Sequence, residues 1–260
     1  MKSHLEFTTQ LARQAGATLL DAFNLSGTRA SLKADRSFVT QADVAADHLI
    51  TAAIQAQFPG EAILSEELHN SLPEVTPAMW IVDPLDGTTN FSLGLHVWGV
   101  LITRLRAGFP EITVQYFPLL NELYTAQRGK GAWLNGNPIH TRPPDPDQPY
   151  GFFACCSRTH RRYQISIPYK PRILGAAAYS FCMLARGAAL IGMEVSPKIW
   201  DIAGAWLLVQ EAGGCIQPLE GAAPFPLMAG IAYHQVNFPT LGSATPELME
   251  IARNKIAARQ

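Results

Sequence analysis

The chain has 260 residues, with 20 Lys and Arg against 21 Asp and Glu, a formal net charge of −1 and 16% charged residues, below the roughly 25% of an average soluble domain. Hydrophobic residues make up 48%, enough for one large core or two fused smaller ones. This excludes disorder, which needs high charge with little apolar content. It also argues against a nucleic-acid polymer as partner, because binding a phosphate backbone calls for a basic excess. With charges this sparse, acids clustered between apolar runs need a reason.

In chain order, Leu5, Ala12, Ala15, Leu19 and Phe23 recur at helical spacing. They predict an amphipathic first helix within residues 1–23, a stretch without the apolar core of a signal peptide. A second helix is expected from Gln41 to about Phe58, with Val44, His48, Leu49 and Ala52 on one face, stopped by Pro59-Gly60. Strands are expected at 62–65, 79–82, 97–103, 112–116 and 122–127, and Asn135-Gly136 is a hairpin-turn signal. Pro143 to Pro149 is rich in Pro and Asp and marks a boundary, dividing the chain into 1–146 and 147–260. Beyond it we expect a strand at 150–154, a helix at 176–186 and a strand at 188–193. A helix from Asp201 to Ala212 should end at Gly213-Gly214, and a last helix should run from Pro246 to about Ala257. The apolar stretch 173–193 contains Arg186, which is costly in hydrocarbon. It therefore reads as a buried helix followed by a buried strand, and no membrane partner is expected. Trp98, Trp133 and Trp206 sit in apolar runs and read as core. Helices and strands mix throughout, so the expected class is layered α/β.

Four cysteines are present: Cys155, Cys156, Cys182 and Cys215. Adjacent cysteines do not easily reach disulfide geometry, and no C-x-x-C pair suggests zinc. Reduced thiols and a cytoplasmic location are expected.

The sharpest motif is Trp80-Ile81-Val82-Asp83-Pro84-Leu85-Asp86-Gly87-Thr88-Thr89-Asn90-Phe91. An apolar strand runs into an acid, a proline and a second acid three residues on. Pro84 fixes its own φ and disfavours a helical Asp83, so the two carboxylates can converge from a turn at the strand end. Gly87 allows unusual backbone and close ligand approach. Thr88, Thr89 and Asn90 offer hydroxyls, an amide and backbone N–H groups suited to an anion such as phosphate. Acids beside a phosphate cradle imply cations between them, and oxygen-only ligands select Mg²⁺ or Mn²⁺. The plainer alternative is an acid-rich capped turn. Two further acidic sites each have a plain reading as well. Glu66-Glu67 follows a strand and could be a first helix turn. Asp201 could be the N-cap of the long apolar helix.

Taken together, Glu66-Glu67, Asp83-Pro84-Leu85-Asp86-Gly87-Thr88 and Trp200-Asp201 resemble the inositol monophosphatase family of magnesium-dependent, lithium-sensitive phosphatases. The Val39-Thr40-Gln41-Ala42-Asp43 segment and the Gln210-Glu211-Ala212-Gly213-Gly214 helix end match as well, so the resemblance covers nearly the whole chain. It implies an αβαβα sandwich and a homodimer. It implies two to three Mg²⁺ ions, with Mn²⁺ as substitute, held by Glu66, Asp83, the Leu85 carbonyl, Asp86 and Asp201. Thr88 and Asp43 would position or deprotonate the attacking water, and Glu67 completes the catalytic set. Asp43 also fits a capping box with Thr40, and both roles can hold. Gly87, Thr88, Gly175, Ala176 and Glu194 would face the phosphate and the substrate.

The implied reaction is hydrolysis of inositol monophosphate or a related small polyol or sugar phosphate. Histidinol phosphate, fructose 1,6-bisphosphate and 3′-phosphoadenosine 5′-phosphate are alternatives, and a non-catalytic binding or regulatory protein on the same fold is an alternative of another class. Gly175-Ala176-Ala177-Ala178 lacks a serine usual in the family, which leaves the preferred alcohol open; Ser65 replaces a glycine, and neither change touches a metal ligand. The basic run Arg158-Thr159-His160-Arg161-Arg162 is either a solvated loop or reaches over the site, or over a dimer neighbour's site, to a second phosphate.

Overall fold

The computed structural model describes residues 3–24, 31–32, 38–68, 72, 76–147 and 151–259. Met1, Lys2 and Tyr150, which the sequence reading placed in elements, lie outside them, as do Gln148 and Pro149 of the Pro- and Asp-rich segment.

Helix α1 (His4–Asn24) is followed by a short antiparallel pair, β1 (Ser31–Leu32) and β2 (Phe38–Val39), and then by α2 (Gln41–Gln57). Next come β3 (Ala62–Ser65), β4 (Ala78–Asp86), the short α3 (Thr88–Ser92), β5 (Gly99–Arg106), β6 (Phe109–Phe117), β7 (Glu122–Gln127), β8 (Gly131–Leu134) and β9 (Asn137–Ile139). These seven strands form one sheet in sequence order, with β3 parallel to β4 and the rest antiparallel. Asn135 and Gly136 turn β8 into β9 with φ of 51° and 80°, the positive values a type I′ turn requires.

The rest of the chain gives β10 (Phe152–Cys155), α4 (Thr159–Arg162), β11 (Tyr163–Ile165), β12 (Pro171–Arg172), α5 (Ala177–Ala185), β13 (Ala189–Glu194) and α6 (Ile199–Glu211). It ends with β14 (Cys215–Pro218), β15 (Thr240–Ser243), α7 (Pro246–Asn254) and β16 (Ile256–Ala258). A second sheet has the order β12-β10-β13-β15-β14, with β10 parallel to both neighbours. No described helix is long and apolar enough to cross a membrane. The four cysteines are free.

Strand alternation builds the layers. Trp80, Val82, Val100 and Ile102 pack with Leu11, Leu19, Ile50 and Ile54 of α1 and α2. Their neighbours Met79, Ile81 and Leu101 face the other way, into a core with Phe181 and Leu184 of α5 and Ile202 and Leu208 of α6. This is the period-two rule of a sheet buried on both faces. In the second sheet Phe153, Ile191, Met193 and Leu241 pack against Met249 and Ala252 of α7. The layers therefore run α1–α2, seven-stranded sheet, α5–α6, five-stranded sheet, α7: the expected αβαβα sandwich. Gly204 sets the contact of α6 with the first sheet, since a Cβ there would overlap the Thr113 and Thr103 hydroxyls.

Several boundaries differ from the sequence reading. The buried face of α2 is Ala42, Asp43, Ala46, Asp47, Ile50, Thr51 and Ile54, whereas His48 and Ala52 are exposed. Two buried acids hid this face from a purely apolar reading. Helix α6 starts at Ile199, so Asp201 is its third residue, not its N-cap. Helix α7 ends at Asn254 because residues 256–258 pair with β11. Trp98 and Trp206 are core, but Trp133 is only half-buried.

Candidate active site

The acids are gathered by a fault in β4. Along a strand, residues three apart point to opposite faces. Here Asp83 pairs with Leu101 and Asp86 with Gly99, so one extra residue lies between them. This β-bulge puts Asp83 and Asp86 on one side. Pro84, without an N–H to donate, sits inside the bulge, where a missing ladder bond costs least. The strand does not end at Val82, as the 79–82 pattern predicts, but carries both acids.

Each carboxylate is also anchored. Asp83 Oδ1 accepts the Leu85 N–H at 2.9 Å. Asp86 accepts the N–H groups of Ala177 and Ala178 at 2.9 and 3.0 Å. These are orphan donors at the start of α5, whose own N-cap, Ala176, has no side-chain acceptor to offer. Asp201 accepts the Lys198 N–H at 2.7 Å, the N3 half of a capping box. Glu66 follows β3, with its N–H on the Val82 carbonyl at 3.1 Å, which places it beside Asp83.

Carboxylate oxygens of Asp83, Asp86 and Asp201 all lie within 4.8 Å of one another. Burial, then repulsion from Glu66, Asp201 and Asp86, holds the Asp83 carboxyl well above the ordinary carboxylate range. Burial followed by Asp86 and Glu66 does the same for Asp201. Asp86 is pushed up to about 7 by burial, against the lowering effect of its backbone donors. Taking several anions out of water this close together is unfavourable unless a cation joins them. The donors are all oxygen, so the set fits a hard divalent cation.

Thr88 and Asp43 meet beside this cluster. Thr40 caps α2, its Oγ1 accepting from Ala42 N at 3.2 Å and Asp43 N at 3.3 Å, while Asp43 Oδ2 accepts the Thr40 N–H at 2.8 Å. The other Asp43 oxygen faces Thr88 Oγ1 at 3.2 Å, and that hydroxyl also reaches the Leu85 carbonyl at 3.0 Å. Capping and the contact with Thr88 therefore coexist. Burial raises the Asp43 pKa, opposed by its bonds from Thr40.

The pocket over these groups has a volume of about 510 Å³ and is lined by Glu66, Asp86, Gly87, Thr88, Gly175, Ala176, Glu194, Asp201 and others. Gly87 takes φ of +89°, and a Cβ there would stand 2.8 Å from the Val97 carbonyl. Glu194 ends β13, is buried, and accepts the Ser180 hydroxyl at 2.8 Å. Burial, then the nearby Cys156, holds its carboxyl well above the ordinary range. It is therefore a buried acid at a strand end and not a solvated loop acid. Glu67 does not line the pocket. Its N–H and that of Leu68 donate to Asp47 Oδ2 at 3.2 and 3.0 Å.

Two residues escaped the sequence reading. Asp47 lies one turn after Asp43 on the buried face of α2 and ties down the turn after Glu66; the signal available was an i, i+4 acid pair. Asn90, read as a possible ligand, instead donates its amide to the carbonyls of Val97 and Leu174 at 2.7 and 2.9 Å. It sits under Gly175, where φ is +80° and a Cβ would meet the Asn90 amide. Of the basic run, Arg158 lines the pocket and Arg161 and Arg162 do not.

A model of the inositol monophosphatase family matches residues 1–257. The chain is similar to a histidinol-phosphatase of Chlorobaculum parvum, 31% identical over 232 residues, covering 85% of this chain and 88% of that protein. It is similar to Nus factor SuhB of Escherichia coli, 32% identical over 242 residues and covering 89% and 91%. Among solved structures it superposes on the Thermotoga maritima IMPase with a TM-score of 0.78 at 25% identity, covering 96% and 95%. With the bulged acid pair and the Asp201 carboxylate in one cluster and the Thr88–Asp43 contact beside it, these matches show that the chain belongs to the inositol monophosphatase family and is a phosphoric monoester hydrolase.

Proposed function

We propose that the protein is a Mg²⁺-dependent phosphomonoesterase that hydrolyses inositol monophosphate or a related small polyol or sugar phosphate. The observation that carries this reading is the triad of Asp83, Asp86 and Asp201 carboxylates within 4.8 Å, next to Thr88 and Asp43. Glu66, Asp83, the Leu85 carbonyl, Asp86 and Asp201 would hold two to three Mg²⁺ ions, with Mn²⁺ as substitute. When bound, such ions supply Lewis acidity, acidify water and neutralise phosphoryl charge.

The chain's own groups do the rest. Thr88 Oγ1 orients the attacking water, and Asp43 behind it accepts the proton. The water oxygen bonds to phosphorus as the ester P–O bond breaks; the leaving alcohol oxygen takes up a proton from solvent, and the proton on Asp43 returns to solvent. Backbone at Gly87 and Thr88 carries the phosphate, so positioning and electrostatics supply most of the rate. Gly175 and Ala176 wall the alcohol side, and Glu194 accepts a substrate hydroxyl. Glu67 completes the catalytic set from the turn that Asp47 holds. Both halves, 1–146 and 147–260, contribute to the site. The same reading carries a homodimer in the cytoplasm and inhibition by Li⁺.

The test is phosphate release from a panel of esters with Mg²⁺, with chelator and with Li⁺. The panel includes inositol 1-phosphate, histidinol phosphate, fructose 1,6-bisphosphate and 3′-phosphoadenosine 5′-phosphate. Chelator-sensitive release from at least one ester supports the reading, and the ester turned over best names the alcohol. No release from any of them overturns it.

A further inference from the structure

The strands β10 and β13 run parallel and adjacent, with Cys155 beside Met193. Their carboxyl ends open together at the pocket, where loops of an open sheet gather ligand contacts. The loop after β10 carries Arg158, and the loop after β13 carries Ser196; both line the pocket. Arg158 Nη1 donates to Ser196 Oγ at 2.6 Å. Its backbone is fixed from the next residue, where buried Thr159 donates its N–H to the Cys156 carbonyl at 3.1 Å.

Arg128 and Arg253 also donate to neutral oxygens, but among the described residues Arg158 is the arginine that lines this pocket. Arg104, Arg106 and Arg186 each meet a glutamate. Arg158 shares its pocket with Glu66, Asp86, Glu194 and Asp201, yet among the described residues its partner is a neutral hydroxyl. Ser196 engages one of five guanidinium N–H donors. The remaining donors include an edge able to grip an oxyanion in the forked geometry that arginine favours. The acids that would hold metal come from β4, α6 and the end of β3. Arg158 comes instead from the loop after β10 of the second sheet, the sheet that also supplies Glu194, to which the proposed function assigns a substrate hydroxyl.

We propose that Arg158 makes this site select phosphomonoesters whose alcohol carries a second oxyanion, a phosphate or a carboxylate. The inference rests on the phosphatase reading and narrows its substrate class. It assigns to Arg158 the role that the sequence left open for the whole basic run.

The test compares matched esters with wild type, Arg158→Ala and Arg158→Lys at fixed Mg²⁺. Fructose 1,6-bisphosphate against fructose 1-phosphate probes a second phosphate. 2-Phosphoglycerate against glycerol 2-phosphate probes a carboxylate. Wild type should favour the doubly anionic member of one pair by about tenfold or more in kcat/KM, chiefly through KM, the size expected of one charge-assisted contact. Arg158→Ala should collapse that ratio toward one, and Arg158→Lys should restore part of it. The pair that responds identifies the oxyanion. A wild-type ratio near one in both pairs, or a ratio that survives Arg158→Ala, overturns the inference while leaving the phosphatase reading intact. Absence of release from every ester overturns both.

Discussion

Replacing Asn90 by alanine and by aspartate separates a structural role from a ligand role. Asn90 is buried, and its amide serves two carbonyls, those of Val97 and Leu174. Alanine removes both bonds. Each contributes about 1 kcal/mol, and an acceptor left dry costs about 1–3 kcal/mol, so the loss should be about 2–4 kcal/mol. For a chain of this size that lowers Tm by roughly 5–12 °C. Aspartate keeps the shape but turns an oxygen toward two carbonyl oxygens. Above neutral pH it should cost more than alanine, and the excess should shrink on acidification, when a protonated carboxyl can donate. Urea unfolding of the three proteins at pH 5 and pH 8 reads the order directly. If Asn90→Asp is as stable as wild type at pH 8, or less damaging than Asn90→Ala there, the side chain is not the staple described.

Three further outcomes are expected. Asp47→Ala should raise the Mg²⁺ concentration needed for half-saturation by about tenfold, the lower end of outer-shell effects on metal affinity, because the turn after Glu66 loses its anchor; Asp47→Asn, which keeps an acceptor, should do less, as read by calorimetric titration. The metal-free protein should lose stability as pH rises from about 4 to above 7. Asp86 has a folded-state pKa of about 7, and Asp83, Asp201 and Glu194 are raised in the same direction. The folded state thus binds more protons than the unfolded one in that window, and stability falls with pH there. Thermal melts in chelator check this, and saturating Mg²⁺ should flatten the slope. Thr88→Ala should lower kcat by roughly 10²-fold, the smaller end of positioned proton-transfer effects, with Mg²⁺ affinity near that of wild type.

The string from Trp80 to Phe91 was legible because its residue types are local and its chemistry dense. Strand alternation likewise announced the sheets. What escaped is non-local. Pro84 made the convergence of Asp83 and Asp86 legible, but its cause, a bulge inside the strand and not a turn at its end, exists only against Leu101 and Gly99. The inner face of α2 was misread because Asp43 and Asp47 are buried for their partners, Thr88 and the turn after Glu66. A polar wall of a site looks solvent-facing to a hydrophobicity pattern. Residues 256–258 continue a helical pattern yet pair with β11, a tertiary choice that overrides propensity. Asp201 looked like an N-cap because Ile199 and Trp200 carry no helix-start signal. Its bond to Lys198 shows the helix beginning two residues earlier.

The central claim is that the clustered carboxylates of Asp83, Asp86 and Asp201 hold the metal on which phosphate release depends. Asp201→Asn tests it most directly, since the amide oxygen can still accept the Lys198 N–H while the charge is gone. Mg²⁺-dependent phosphate release by this variant, measured beside wild type on the best ester of the panel, should fall by about 10²-fold or more, as expected when metal-assisted charge stabilisation is lost. Release within a few-fold of wild type would contradict the account.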